Sequence, residues 1–176
     1  MPTVNFSRID LDLIYPPFLE RVLHTIAACE ARGVTFIATR GYDTYGAQMA
    51  LWAKGRTMPG PMVTNAKGGQ SAHNFGLAID FVRDLDRSKQ GVQPGWKPED
   101  FAILIEEAKK RGLHSGQGYK DYPHISWPGY VTATDMLPLD MYWQTTDPHA
   151  ATLDRLKTVW KAVRNPAADP QAVLEK

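Results

Sequence analysis

Two short stretches of this sequence combine residue types that bind metal ions. In Ser71-Ala72-His73-Asn74-Phe75-Gly76-Leu77-Ala78-Ile79-Asp80, an imidazole and a carboxylate stand on either side of a turn containing Gly76. Asp80 falls inside the apolar, alternating run Leu77–Val82, which reads as a strand. Its face is shared with the small Ala78 and with Val82. A carboxylate is costly to bury there unless a cation or hydrogen-bond donors meet it. His73 can fold back over the turn to stand beside it. Imidazole and carboxylate are both zinc ligands, and a hydrolytic zinc site needs three protein ligands and an open position.

The second stretch, Asp121-Tyr122-Pro123-His124-Ile125-Ser126-Trp127, offers the third ligand. Pro123 holds Tyr122 extended and is expected to start a strand with His124 at its entry. Asp121, three residues earlier on the preceding turn, can reach over the ion without binding it. A carboxylate so placed is a general base for a metal-held water.

Other polar residues carry weaker signals. Ser71 resembles a nucleophile beside His73, but a metal-held water already supplies one, so a hydrogen bond to substrate or to a ligand suits it better. His24 is expected to be solvated, His114 structural, and His149 without a role in its polar turn. Cys29 lacks an activating charge arrangement, which argues against a cysteine protease.

Several elements must position these groups. Ser7 and Asp10 are expected to cap a short first helix that Pro16-Pro17 ends. Phe18, Leu19, Val22, Leu23 and Ile26 then recur at helical spacing up to Gly33, and Val34–Ala38 suits a strand. Thr44 caps a helix carrying Met49, Leu51 and Trp52, and the chain from Arg56 to Gln70 is a loop. A polar stretch from Arg83 to Gly95 leads to a third helix, with Pro98 in its first turn and Gly112 as its stop. Short strands are expected at Gly112–Ser115 and His124–Trp127.

A last amphipathic helix near Leu153–Val163 reads as packing on the core, despite the cations Arg155, Lys157, Lys161 and Arg164. Tyr119, Tyr122, Trp127 and Tyr130 fit either a substrate cleft or core and rim. The pattern predicts an α+β chain with a small, mainly antiparallel sheet flanked by helices. One domain is expected over residues 1–176, its core about 16–130 and a helical extension about 131–165.

Composition narrows the alternatives. The 176 residues are 43% hydrophobic and 22% charged, with a net charge of +1, so the basic surplus of a nucleic-acid binder is missing. One cysteine excludes an internal disulfide. No run suits stable membrane insertion, and the first ten residues lack the pattern of a secretory signal, so synthesis in the cytoplasm is expected.

The run Thr64–Asp80, with its Ser-x-His-x-x-Gly-x-Ala-x-Asp order, closely resembles the signature of the D-Ala-D-Ala carboxypeptidase/VanY-like zinc peptidases. Asp121-Tyr122-Pro123-His124 is similar to that family's second signature. Gly41-Tyr42, Gln48 and Leu51-Trp52-Ala53-Lys54-Gly55-Arg56-Thr57 look like the branch of phage and bacterial L-alanyl-D-glutamate endopeptidases. The resemblance runs from about Thr39 to Trp127, half the chain.

It implies a hedgehog/D,D-peptidase-like fold with one catalytic Zn²⁺ in an open cleft, held by His73, Asp80 and His124, with Asp121 as base. It further implies substrate contacts from Arg40, Gln48, Arg56, Thr64 and Ser71. The family arginine that follows the Gly-Tyr pair is replaced by Asp43, and Arg40 or Arg56 can stand in for it; spacing leaves both open. The implied substrate is the peptidoglycan stem peptide, cut between L-Ala and D-Glu. The implied protein is a monomeric phage or prophage endolysin that reaches the cell wall after a holin opens the membrane. Within the same family, a D,D-carboxypeptidase or dipeptidase is the alternative. A non-catalytic zinc-bearing module is the alternative of another class, disfavoured by the presence of three ligands and an acid where structural zinc has four ligands.

Overall fold

The computed structural model describes residues 4–128 and 149–163. Two 3-10 turns, Val4–Phe6 and Leu11–Leu13, open the chain, and Asp10 caps the second by accepting from the Asp12 N–H. They stand where one short helix was expected. Pro16-Pro17 does not end that helix but begins α1, Pro16–Ala31, because a first-turn proline gives up only an N–H that has no helical partner. Phe18, Val22, Ile26 and Cys29 line the buried stripe of α1. Gly33, at φ +75°, turns the chain out of the helix into β1, Thr35–Arg40.

Thr44 caps α2, Tyr45–Ala53, by accepting from the Ala47 N–H. A 3-10 turn at Ala72–Phe75 leads through Gly76 into β2, Ala78–Asp84. The stretch expected to be only polar loop contains β3, Pro94–Gly95, paired with the end of β2. A Pro-Gly pair reads as a turn in sequence, and only its partner reveals the strand. A 3-10 turn at Pro98–Phe101 runs into α3, Ala102–Lys110. β4, His114–Gly116, and β5, Asp121–Ser126, follow. The last helix, α4, covers His149–Trp160.

The sheet is antiparallel in the order β1-β2-β5-β4, with β3 beside β2. Helices α1 and α3 pack on one another and against the sheet. Phe18, Phe36, Phe81, Phe101, Leu104, Ile125 and Trp127 are essentially buried in one core. Each contributes about 1.5–3 kcal/mol by leaving water. α4 adds Leu156, Val159 and Trp160 to the same core, and Trp160 donates its indole N–H to the Phe75 carbonyl at 2.7 Å. This is the packing expected of the last helix. Tyr130, Arg164 and most of the expected extension at 131–165 lie outside the described residues.

Candidate metal centre

The 3-10 turn at 72–75 presents His73. Ser71 caps it, its hydroxyl accepting from the His73 N–H at 3.3 Å, while Asn74 Oδ1 accepts from the backbone of Gly69 and Ser71. The Asn74 amide donates to the carbonyls of Asp43 and Thr44, and Asp43 N–H donates to the His73 carbonyl. The turn is thereby tied to the loop after β1. Asn74 is fully buried, yet its sequence neighbours give no sign of this role. Gly76 ends the turn at φ +65°, and a Cβ there would stand 2.1 Å from the Leu13 carbonyl oxygen, so no other residue fits.

Asp80 and His124 are register partners across β2 and β5, which puts both side chains on one face. Asp121 lies in β5 itself, not on a preceding turn, and Pro123 is the third residue of that strand. On the β4 side the pairing jumps from Ser115↔Ile125 to Gly116↔Asp121. The missing N–H of Pro123 falls in that irregularity. Gly116 allows the close approach, since a Cβ on it would lie 2.2 Å from the Asp121 carbonyl oxygen. Lys120, just before Asp121, takes φ +65°, a conformation that costs a side-chain-bearing residue on the order of 1 kcal/mol.

One ligand atom from each of His73, Asp80 and His124 lies within 4.8 Å of the others. Asp80 Oδ1 is 2.9 Å from His124 Nδ1 and 3.2 Å from His73 Nε2. Two donors bound tetrahedrally to zinc at about 2.1 Å are separated by about 3.4 Å, so the spacing suits such an ion with small adjustment. His73 Nε2 is buried and makes no hydrogen bond; its contact with Asp80 lacks the geometry for one. His73 Nδ1 meets the Gly41 carbonyl at 2.8 Å. That carbonyl takes the ring proton on Nδ1 and leaves the Nε2 lone pair directed at the cluster, the arrangement of a metal-binding imidazole. An orphaned buried nitrogen, a second imidazole and a carboxylate together fit a zinc-type ion with open positions.

Burial alone pushes the Asp80 carboxyl up. The nearness of the His73 imidazole, first, and the hydrogen bond from His124 outweigh it and hold the group far below the usual carboxylate range. Its other oxygen, Oδ2, faces Arg40 Nη1 at 3.5 Å. Asp121 is shifted the opposite way. Partial burial first, then the Asp80 charge, push its carboxyl up, against the pull of His124, His73 and Arg40. These influences bring Asp121 electrostatically into the cluster.

The residues expected to touch substrate separate. Arg40 is at the cluster, its Nε donating to Asp43 at 2.6 Å and its Nη2 to Gln48 at 2.8 Å. Gln48 is buried and its amide donates to the Ala66 carbonyl, so both of its ends hold Arg40 and the loop in place. Arg56 is exposed, bonded to the Trp52 and Thr64 carbonyls and to Asn65, and stacked over Trp52. None of these partners belongs to the metal cluster. Thr64 Oγ1 accepts from the Ala66 N–H and shapes the same loop. Ser71 serves the His73 turn.

His24 is exposed, as expected, and His114 is the exposed first residue of β4. His149, expected to be idle in a turn, instead begins α4 and meets Asp10 at 2.8 Å. Cys29 is buried, and burial above all pushes its thiol up to about 12. Tyr119 is 66% exposed, with its ring centroid 6.3 Å from that of His124, whereas Trp127 belongs to the core.

A protein-family model described as D-alanyl-D-alanine carboxypeptidase (VanY) matches residues 14–126. A curated relative, the peptidoglycan L-alanyl-D-glutamate endopeptidase CwlK of Bacillus subtilis, is 37% identical over 109 residues. The match takes in 56% of this chain and 64% of that relative, so it spans less than two thirds of the relative's length. Among solved structures, the L-Ala D-Glu endopeptidase ChiX of Serratia marcescens matches at TM-score 0.41 and 19% identity, covering 68% of this chain and 90% of that one.

Proposed function

From the premise that the chain belongs to the VanY D-alanyl-D-alanine carboxypeptidase family, we propose that it is a zinc endopeptidase cutting the L-Ala–D-Glu bond of the peptidoglycan stem peptide. The observation that carries this reading is the convergence of His73 Nε2, Asp80 Oδ1 and His124 Nδ1 beside Asp121. The likeness to CwlK supports the choice of bond.

His73, Asp80 and His124 would hold the ion. A zinc ion bound there supplies a Lewis acid and lowers the pKa of a coordinated water to about 7. Asp121 accepts a proton at its carboxylate and returns it to the leaving amine. Arg40, fixed by Asp43 and Gln48, presents a preoriented cation toward developing negative charge on the scissile carbonyl. Gly41 keeps the His73 ring in the ligand tautomer.

Digestion of purified peptidoglycan with mass spectrometry of the products tests the reading. New N-terminal glutamate is expected. Released D-alanine would instead support a D,D-carboxypeptidase, the reading favoured by the description of the matching family. The route to the wall, as a phage or prophage endolysin released through a holin-formed lesion, is part of the same proposal. Lysis from within that depends on a co-expressed holin supports it, and lysis without one overturns that route.

A further inference from the structure

A groove of about 700 Å³ runs along β4, lined by Lys109, His114, Gln117, Tyr119, Ser126 and Trp127 among others. Sheet register ties it to the metal cluster. Ser126 pairs with Ala78 on one side and His114 on the other, one same-face step from the Asp80↔His124 pair. Ser126 and His114 therefore project on the face that carries Asp80 and His124. Tyr119, beside the His124 ring, lines the groove at the end nearest the cluster.

Lys109, at the end of α3, brings a cation to this groove. Its Nζ donates to Gln117 Oε1 at 3.1 Å, and no carboxylate among the described residues pairs with it. The next residue, Lys110, is by contrast engaged by Glu106 and Glu107. An ammonium with a neutral partner, lining a groove whose Tyr119 stands beside the His124 ring, is complementary to an anionic substrate.

We infer that this groove is the peptide subsite of the enzyme and that Lys109 receives a free carboxylate of the stem peptide, a specificity contact resting on the endopeptidase reading above. When one carboxyl group of a glutamyl residue continues the chain, the other stays free beside the cleaved bond. The groove distinguishes that carboxylate from its amide.

Two synthetic stem peptides, one with D-glutamate and one with that free carboxyl amidated, are cleaved by wild type, Lys109→Ala and Lys109→Arg. For wild type, KM is expected to be about fivefold lower for the acid peptide than for the amide. Lys109→Ala raises KM for the acid peptide by about the same factor, leaves kcat within about twofold and does not alter the amide peptide, while Lys109→Arg restores the preference. An unchanged KM for the acid peptide in Lys109→Ala, or an equal rise for both peptides, overturns the inference while leaving the endopeptidase intact. Wild type that cleaves neither peptide overturns the functional reading and the subsite with it.

Discussion

Asp80 Oδ1 stands 2.9 Å from His124 Nδ1, directly across the β2–β5 pair. The contact is made by register, so one rung of the sheet delivers both groups. Asp80→Ala is expected to lower zinc affinity by more than about 100-fold, beyond the range for outer partners of metal ligands. Metal content after dialysis checks this. Chelation of the wild type should abolish cleavage and added zinc restore it; undiminished cleavage after exhaustive chelation would refute the metal.

Asp121 is expected to act on protons without holding the ion. Asp121→Asn should keep wild-type zinc content and lose about 10²- to 10⁴-fold in kcat. Loss of zinc in this variant would reassign it as a ligand, and near-normal turnover would remove it from the chemistry.

Arg40 and Arg56 part company in their surroundings. Arg40→Ala is expected to lower kcat by about 10²- to 10³-fold, as for loss of a group facing developing charge. Arg56→Ala, which loosens a surface loop, should stay within about threefold. Steady-state kinetics on one peptide compare them, and the reverse ranking would hand the family arginine's role to Arg56.

Stability should carry an acid limb from Glu107. Bonding from Lys110, then Arg111, and also from Arg32, outweighs burial and holds its carboxyl at about 2, below the ordinary 4.5. A folded-state value below the unfolded one stabilises above about pH 4.5 and loses that contribution as pH falls toward 2. Urea midpoints between pH 5 and 2.5 should fall more steeply for wild type than for Glu107→Gln. Parallel slopes would contradict the assignment.

Cys29 should be inert while the chain is folded, because burial, first, pushes its thiol up to about 12. Alkylation at pH 8 is expected only in denaturant, and rapid labelling of native protein would contradict this.

The convergence of the three side chains was legible because they sit in short, patterned runs: His73 and Asp80 flank a glycine turn, and His124 follows a proline. The supports were not. Gln48 and Asn74 are polar residues in unremarkable positions, and their burial depends on carbonyls contributed by distant loops. Asp121 was placed on a turn because Tyr122-Pro123 suggests one; the irregular pairing with Gly116 keeps it in the strand instead. Pro16-Pro17 misled in the opposite sense, since a proline pair serves a helix start as readily as a stop. His149 and Asp10 meet across nearly the whole chain, a distance no local pattern spans.

Trp160 grips the Phe75 carbonyl two residues from His73, and the Tyr15 N–H grips Gly76 beyond it. The loop that offers the first imidazole is thus anchored by α4 as well as by the start of α1. Cutting the chain back to the segment that matches the family, 14–126, would discard one of those anchors. The helix lying past the family-matched region acts as a brace for the turn that carries His73, and a minimal recombinant version ought to include it.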